Sequence, residues 1–431
     1  MNPLNIRIIP RTLHFRQPAG TSRGVYTTRN VWYILIRDNA TGRIGLGECA
    51  PLPDLSCDAL PDYTERLIQF CQEVEHSGKL CRNDFLPYPS MLFGLETALR
   101  HLQTGTIRLW DSTFSRGEEG IPINGLVWMG TFEEMKQRIH EKITQGFRCI
   151  KLKIGAIDFN RELELLARIR DHFPAEQIEP RVDAKGVFTP GEAPHKLELL
   201  SQMDLHSIEQ PIRAGQWQEM AQLCNESPIP IALDEELIGI NRHEDKIALL
   251  DTIHPRYIIL KPSLHGGISG SEEWIALAEE RGVGWWITSA LESNIGLNAI
   301  AQWCATLHTK LPQGLGTGLL FTDNVPSPLC IEGDCLWFRS EEPEPNFTCL
   351  LGTDNGTSCE TLSEIINSLT HRQIFPVRKS ILKESLLLPL MQGWHQTAVP
   401  ADYNIYSART KVDSNLLWLT FSLSGSTKRT Q

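Results

Sequence analysis

The feature that most constrains this chain is a repeat. Between residues 121 and 318, short apolar runs alternate with amphipathic, helix-like stretches. The runs fall at 121–128, 149–154, 179–183, 207–210, 230–234, 257–261, 284–289 and 314–318. Strands separated by helices run parallel, because each helix carries the chain back along the sheet. Eight such units predict an α/β fold of the (β/α)-barrel type, a modified TIM barrel, rather than an open doubly wound sheet. The first intervening helix has its own start signal. Thr131 is an N-cap with Glu134 three residues on, and Gly146 stops the helix.

The flanks differ in texture. Val31-Trp32-Tyr33-Ile34-Leu35-Ile36 is β-rich, and Asn39-Ala40-Thr41-Gly42 reads as a hairpin turn. Helical patterns follow at 62–75 and 90–103. The organisation expected is therefore an α+β unit at 1–117, a barrel at 118–325, a return segment at 326–340 packing on the first unit, and a tail at 341–431. The tail is rich in Ser, Thr, Asn and Pro, with a helix-like stretch at 359–369 and a strand-like one at 416–423. It carries no motif that assigns it a role.

Composition removes several classes. The formal net charge is −11, which disfavours nucleic-acid binding. No apolar run is long enough to span a bilayer, so no membrane insertion is expected. Residues 1–11 lack the apolar core of a signal peptide, so a cytoplasmic location is expected. The 11 cysteines are scattered without zinc-ribbon spacing and read as reduced thiols.

Five charged residues close five successive runs: Lys153, Asp183, Glu209, Asp234 and Lys261. Their separations are 30, 26, 25 and 27 residues, one βα unit each. In a parallel barrel, the C-terminal strand ends form the mouth where chemistry is done. One charge there is ordinary, whereas five in register are hard to explain by solvation. Asp183, Glu209 and Asp234 come from neighbouring strands and repel unless a cation lies among them. An all-oxygen donor set suits Mg²⁺, with Mn²⁺ as a substitute. Lys153 and Lys261 belong to strands four apart and so face each other across the mouth. A lysine desolvated there can serve as a base, and a cation on the substrate carboxylate makes the neighbouring carbon acid reachable. The substrate expected is a small-molecule carboxylate. The sequence sets no oligomeric state.

These residues resemble the enolase superfamily, in particular its muconate-lactonising subgroup. Lys151-Leu152-Lys153 matches that subgroup's paired lysines, and Leu260-Lys261-Pro262 its opposing lysine. The His–Asp dyad of the mandelate-racemase subgroup has no counterpart. The resemblance spans about residues 6–338 and makes the first unit a capping domain. Three stretches are similar to the o-succinylbenzoate synthase family: Gly47-Glu48-Cys49-Ala50-Pro51-Leu52-Pro53, Lys261-Pro262-Ser263-Leu264-His265-Gly266-Gly267, and Thr288-Ser289-Ala290-Leu291-Glu292-Ser293-Asn294. The Asp-x-Asp motif of dipeptide epimerases is replaced by Gly314-Leu315-Gly316-Thr317-Gly318.

The resemblance implies dehydration of 2-succinyl-6-hydroxy-2,4-cyclohexadiene-1-carboxylate to 2-succinylbenzoate in menaquinone biosynthesis. It makes Lys153 the base and Lys261 the electrostatic partner. N-acylamino acid racemisation and dipeptide epimerisation use the same residues and remain open, as does a non-catalytic barrel scaffold. Further expectations are softer. Lys151 supports the base, contacts substrate, or makes a structural ion pair. Ser289 donates to a substrate carboxylate or packs on the barrel wall. Gly266 and Gly267 offer backbone N–H groups to the substrate or form a plain turn. Arg23, in a glycine-flanked loop at 18–24, attracts the substrate or is solvated. The family's Asp-Ala-Asn is Asp183-Ala184-Lys185 here, which puts an extra charge near the metal or replaces the asparagine's hydrogen bond.

Overall fold

A computed structural model describes residues 4–21 and 24–339, together with the backbone of 372–378, 403–413 and 416–425. The chain divides into two compact units, 1–346 and 347–431.

The first unit opens with β1 (Leu4–Thr21), β2 (Gly24–Asp38) and β3 (Ile44–Cys49), antiparallel in that order. The 39–42 turn forms as expected, with Gly42 at φ 73° donating to the Asp38 carbonyl at 2.8 Å. Two helices, α1 (Tyr63–Ser77) and α2 (Pro89–Thr104), cover the sheet. Helix α2 lies so close on β3 that a Cβ at Gly47 would meet the Gly94 carbonyl at 2.0 Å. That approach explains the glycine of the Gly47-Glu48-Cys49 motif.

The expected first barrel run, 121–128, divides in two. β4 (Ile121–Pro122) leaves the barrel, while β5 (Gly125–Val127) begins it. Helix α3 (Phe132–Thr144) carries the full Thr131–Glu134 capping box. The alternation continues through β6 (Cys149–Lys153), α4 (Phe159–His172), β7 (Glu179–Asp183), α5 (Ala193–Ser201), β8 (Ser207–Glu209) and α6 (Trp217–Glu226). It ends with β9 (Ile231–Leu233), α7 (His243–Ile253), β10 (Tyr257–Leu260), α8 (Gly267–Glu279), β11 (Gly284–Ile287) and α9 (Asn294–Ala305). The parallel sheet runs β5 to β11 in sequence order.

The expected eighth strand at 314–318 is much shorter. Gln313 and Gly314 alone bridge the two edges, pairing in parallel with Ile123 and Thr288. The Gln313 amide donates to the Pro122 carbonyl and the Gly314 amide to the Ile287 carbonyl, each at 2.8 Å. These bonds close the barrel. After it, β12 (Leu329–Glu332) and β13 (Cys335–Phe338) form a hairpin that pairs with β4. The segment before that hairpin touches β1, where the His14 amide donates to Asp323 Oδ1 at 2.8 Å.

Strand parity sorts the barrel residues. Ile150, Leu152, Val182, Ile208, Ile231, Leu233, Ile258, Leu260 and Ile287 pack outward against the helices. Ala232, Ile259 and Trp286 form a separate inner cluster. Arg181 joins this inner layer, its guanidinium 4.5 Å from the Trp286 ring centroid. One step further along each strand, the same inward face reaches the mouth.

The second unit is described by backbone alone. β14 (Arg372–Arg378), β15 (Tyr403–Asp413) and β16 (Leu416–Gly425) form an antiparallel sheet in the order β14-β16-β15. The expected strand at 416–423 lies within β16; the expected helix at 359–369 lies outside the described residues. Among the described residues no helix is long and apolar enough to cross a membrane.

Candidate active site

Parity delivers the charged strand ends to one pocket. Lys151, Lys153, Asp183, Glu209, Asp234 and Lys261 all line it. Asp183 and Glu209 are directly paired across β7 and β8. Asp183, Glu209 and Asp234 are each 3% exposed, so their charges depend on protein partners. The Lys151 ammonium sits between two of them, 2.5 Å from Glu209 and 3.4 Å from Asp183. Lys261 Nζ is 2.6 Å from Asp234 Oδ1. Of the three expectations for Lys151, the structure shows the ion pair.

The electrostatics follow from this packing. Burial, reinforced by the Asp183 charge, raises the Glu209 carboxyl well above the usual carboxylate range. Burial is the strongest single influence on Asp234 and acts upward, but the Lys261 and Lys151 ammonium groups and a hydrogen bond with Glu209 together outweigh it, and the carboxyl falls to about 2. Lys153 has no such acidic partner. Burial, opposed by the field of Asp183 and reinforced by the ammonium groups of Lys151 and Lys185, brings it down to about 8. Its Nζ lies 4.3 Å from the Trp128 ring centroid and 3.4 Å from the Gly20 carbonyl.

The carboxylates suit a divalent cation by chemistry. They are buried oxygen donors on adjacent strands, and two ammonium groups already stand among them as positive charge. Among the described residues, no group of three His, Cys, Asp or Glu side chains stands ready-arranged around a metal position. Binding would therefore displace the Lys151 and Lys261 contacts. Asp183, Glu209 and Asp234 are the residues that would hold it.

The softer expectations fare unevenly. Ser289 lines the pocket, but its hydroxyl donates to Glu292 Oε2 at 2.6 Å. Gly266 and Gly267 do not line it. The Gly267 amide donates to the Pro262 carbonyl at 2.9 Å, and Glu96 of α2 takes the Ile268 amide at 2.7 Å. The Gly267 and Ile268 amides at the start of α8 are thus taken within the protein. Arg23 lies outside the described residues. On either side of it, Ala19, Gly20 and Thr21 pair with Tyr26, Val25 and Gly24. Lys185 does not follow strand parity. It lies beyond the end of β7 at φ 51°, and its ammonium contacts the Met129 sulfur rather than the acidic cluster.

Several residues of the site were not singled out from the sequence. Trp128, Glu235, Leu52 and Leu55 line the pocket. His265 Nδ1 accepts the Lys261 amide at 2.9 Å, and burial pushes the imidazole down to about 3. A neutral ring accepting at Nδ1 carries its proton on Nε2. Gln210 Oε1 accepts the Asp234 and Glu236 amides, each at 3.2 Å, tying β8 to the loop after β9. Leu52 and His265 stand in two of the stretches that carry the resemblance, and Gln210 and Glu235 adjoin strand-end charges.

Comparison with known proteins agrees with this geometry. The family model described as Enolase C-terminal domain-like matches residues 134–338. The o-succinylbenzoate synthase of Desulfotalea psychrophila is 46% identical over 75% of this chain and 96% of its own length. The N-succinylamino acid racemase of Thermus thermophilus is 28% identical over 68% of this chain and 79% of its own length. The crystal structure of MenC from Desulfotalea psychrophila superposes with a TM-score of 0.67 at 42% identity, covering 78% of this chain and 99% of that one.

Proposed function

This chain belongs to the enolase superfamily, and we propose that it is a dehydratase of the o-succinylbenzoate synthase type. Its substrate is 2-succinyl-6-hydroxy-2,4-cyclohexadiene-1-carboxylate, its product 2-succinylbenzoate, and its place menaquinone biosynthesis. The observation that carries the chemistry is the placement of Lys153 and Lys261, which line one pocket from opposite staves with Asp183, Glu209 and Asp234 alongside. The substrate assignment is supported by the 46% identity to the Desulfotalea psychrophila synthase.

Asp183, Glu209 and Asp234 would hold a Mg²⁺ (or Mn²⁺) ion, whose charge would offset the second negative charge developing on the substrate carboxylate. Lys153, desolvated and free of an acidic partner, takes the proton from the carbon next to that carboxylate. The lysine, now an ammonium, returns a proton to the departing hydroxyl on the same face, and water leaves. Lys261, kept an ammonium by the field of Asp234, Glu235 and Glu209, stabilises the electron-rich ring from the other face. His265 holds the Lys261 backbone so that its side chain projects into the mouth. Aromatisation of the ring drives the elimination.

A second reading, racemisation of an N-acylamino acid, is supported by the Thermus thermophilus relative. It asks both lysines to exchange protons. The deciding experiment assays the purified full chain, with Mg²⁺ and with EDTA, for 2-succinylbenzoate formation. N-succinylamino acid racemisation and dipeptide epimerisation are followed in parallel. Turnover confined to racemisation or epimerisation would overturn the dehydratase proposal.

A further inference from the structure

The charges around the pocket are not evenly spread. Its carboxylates, Asp183, Glu209, Asp234 and Glu235, follow β7 to β9. Lys151 and Lys261 ion-pair with them. On the other flank, after β5 to β7, stand Trp128, Lys153 and Lys185. Among the described residues neither Lys153 nor Lys185 has a carboxylate in ion-pair range. Lys153 is engaged by the Gly20 carbonyl and the Trp128 face. Lys185 contacts only the Met129 sulfur through its ammonium, and a thioether is a weak acceptor.

Lys185 is nonetheless held in place. Its amide donates to Asp183 Oδ1 at 3.1 Å, and the next amide, of Gly186, donates to the Gln210 carbonyl at 2.6 Å. The backbone sits in the left-handed region at φ 51°, which turns the side chain away from Asp183. It crosses the end of β6 to reach Met129 beyond β5. Asp183, Glu235 and Glu162 act on this ammonium only through their fields, and a half-buried ammonium on a pocket wall with no carboxylate in contact can take an anion.

We propose that Lys185 anchors a second carboxylate of the substrate. The pocket would then select a dicarboxylate. One carboxylate lies on the side of the acidic cluster and its cation. The other, on a flexible arm, pairs with Lys185. This assignment rests on the function proposed above and adds to it how the succinyl arm is recognised.

The test is equilibrium binding to the full chain with Mg²⁺ present. The probes are 2-succinylbenzoate and 2-butyrylbenzoate, which replaces the terminal carboxylate with a methyl group. Wild type should prefer the dianion. Lys185→Met should weaken 2-succinylbenzoate by about ten-fold or more, the scale of a charged hydrogen bond, and leave 2-butyrylbenzoate unchanged. Lys185→Arg should restore most of the preference. Magnesium affinity measured without ligand should be the same in all three proteins. Equal loss for both probes, no loss, or a changed magnesium affinity overturns the assignment of Lys185 alone. A wild-type protein that binds no 2-succinylbenzoate overturns the proposed function and this assignment with it.

Discussion

The Arg29 guanidinium on β2 donates to the Leu291 carbonyl, on the loop after β11, at 3.3 Å. The same group donates to the carbonyls of Ala290 at 3.2 Å and Pro51 at 2.5 Å, and also to Ala50. Arg29 is 1% exposed and lies in the field of Glu48 and Glu292. It therefore joins two pieces of backbone, one from the cap and one from the barrel. Both lead directly into the pocket wall through Leu52, Ala290 and Leu291. Arg29→Ala leaves four buried carbonyls without a donor and two buried carboxylates without a counter-charge. The expected loss is about 3–5 kcal/mol. Arg29→Lys should recover part of it, because an ammonium lacks the planar fork that reaches several acceptors. Urea denaturation measures this, and Arg29→Ala within about 1 kcal/mol of wild type would show that the junction is held by other contacts.

Lys153 is expected to be replaceable for folding but not for turnover. Lys153→Ala should lower kcat by on the order of 10²–10⁴ while the circular dichroism spectrum and product affinity stay near wild type. Lys153→Arg is the sharper variant. It keeps the charge over Trp128 but cannot give up its proton near neutral pH, so it should be as inactive as alanine. An active Lys153→Arg enzyme would place the base elsewhere.

The strand-end charges were legible because a parallel barrel turns sequence spacing into position. Period-two alternation puts Lys151, Lys153, Asp183, Glu209, Asp234 and Lys261 on the inward face, and the βα repeat brings them to the same end. Arg29 was not legible for the opposite reason. Its partners are backbone carbonyls, which have no residue identity to read, and it stands on a strand flanked by exposed positions. Gly266 and Gly267 left two readings open because the group that takes the next amide, of Ile268, comes from Glu96, far away in the chain. Lys185 misled because parity stops where the strand stops, and a left-handed residue follows no alternation. The eighth stave is two residues long, and its Gly314 passes so close to Thr288 that a Cβ there would lie 2.1 Å from the hydroxyl.

Removing the divalent cation should abolish turnover and lower stability together. Returning Mg²⁺ to about 100 times its Kd should raise the unfolding free energy by about 2.7 kcal/mol. Asp183→Asn and Glu209→Gln should unfold at the same point with and without Mg²⁺. Calorimetric scans of the three proteins provide the check. A magnesium-induced shift that survives in both variants would mean that the cation binds somewhere other than the barrel mouth.

The pH dependence of stability should carry the mark of Glu48. This β3 carboxylate accepts the amides of Ser293 and Gly296, each at 2.8 Å, and the Ser293 hydroxyl at 2.5 Å. It thereby caps α9 from outside the barrel. Full burial outweighs these donors and lifts its carboxyl to about 7. The unfolded chain releases that proton at about 4.3. Between those two values the native state holds more protons than the unfolded state, so stability falls as pH rises through this window and levels off above it. The difference amounts to about 4 kcal/mol. Glu48→Gln cannot ionise and still offers one oxygen to the helix start. It should be less stable than wild type near pH 5, where the protonated glutamate costs nothing, and should close or reverse that gap by pH 8. Urea midpoints at unit pH intervals, at constant m-value, measure the difference between the two proteins. Parallel curves from pH 5 to 8 would show that the α9 amides keep Glu48 ionised in the folded protein throughout.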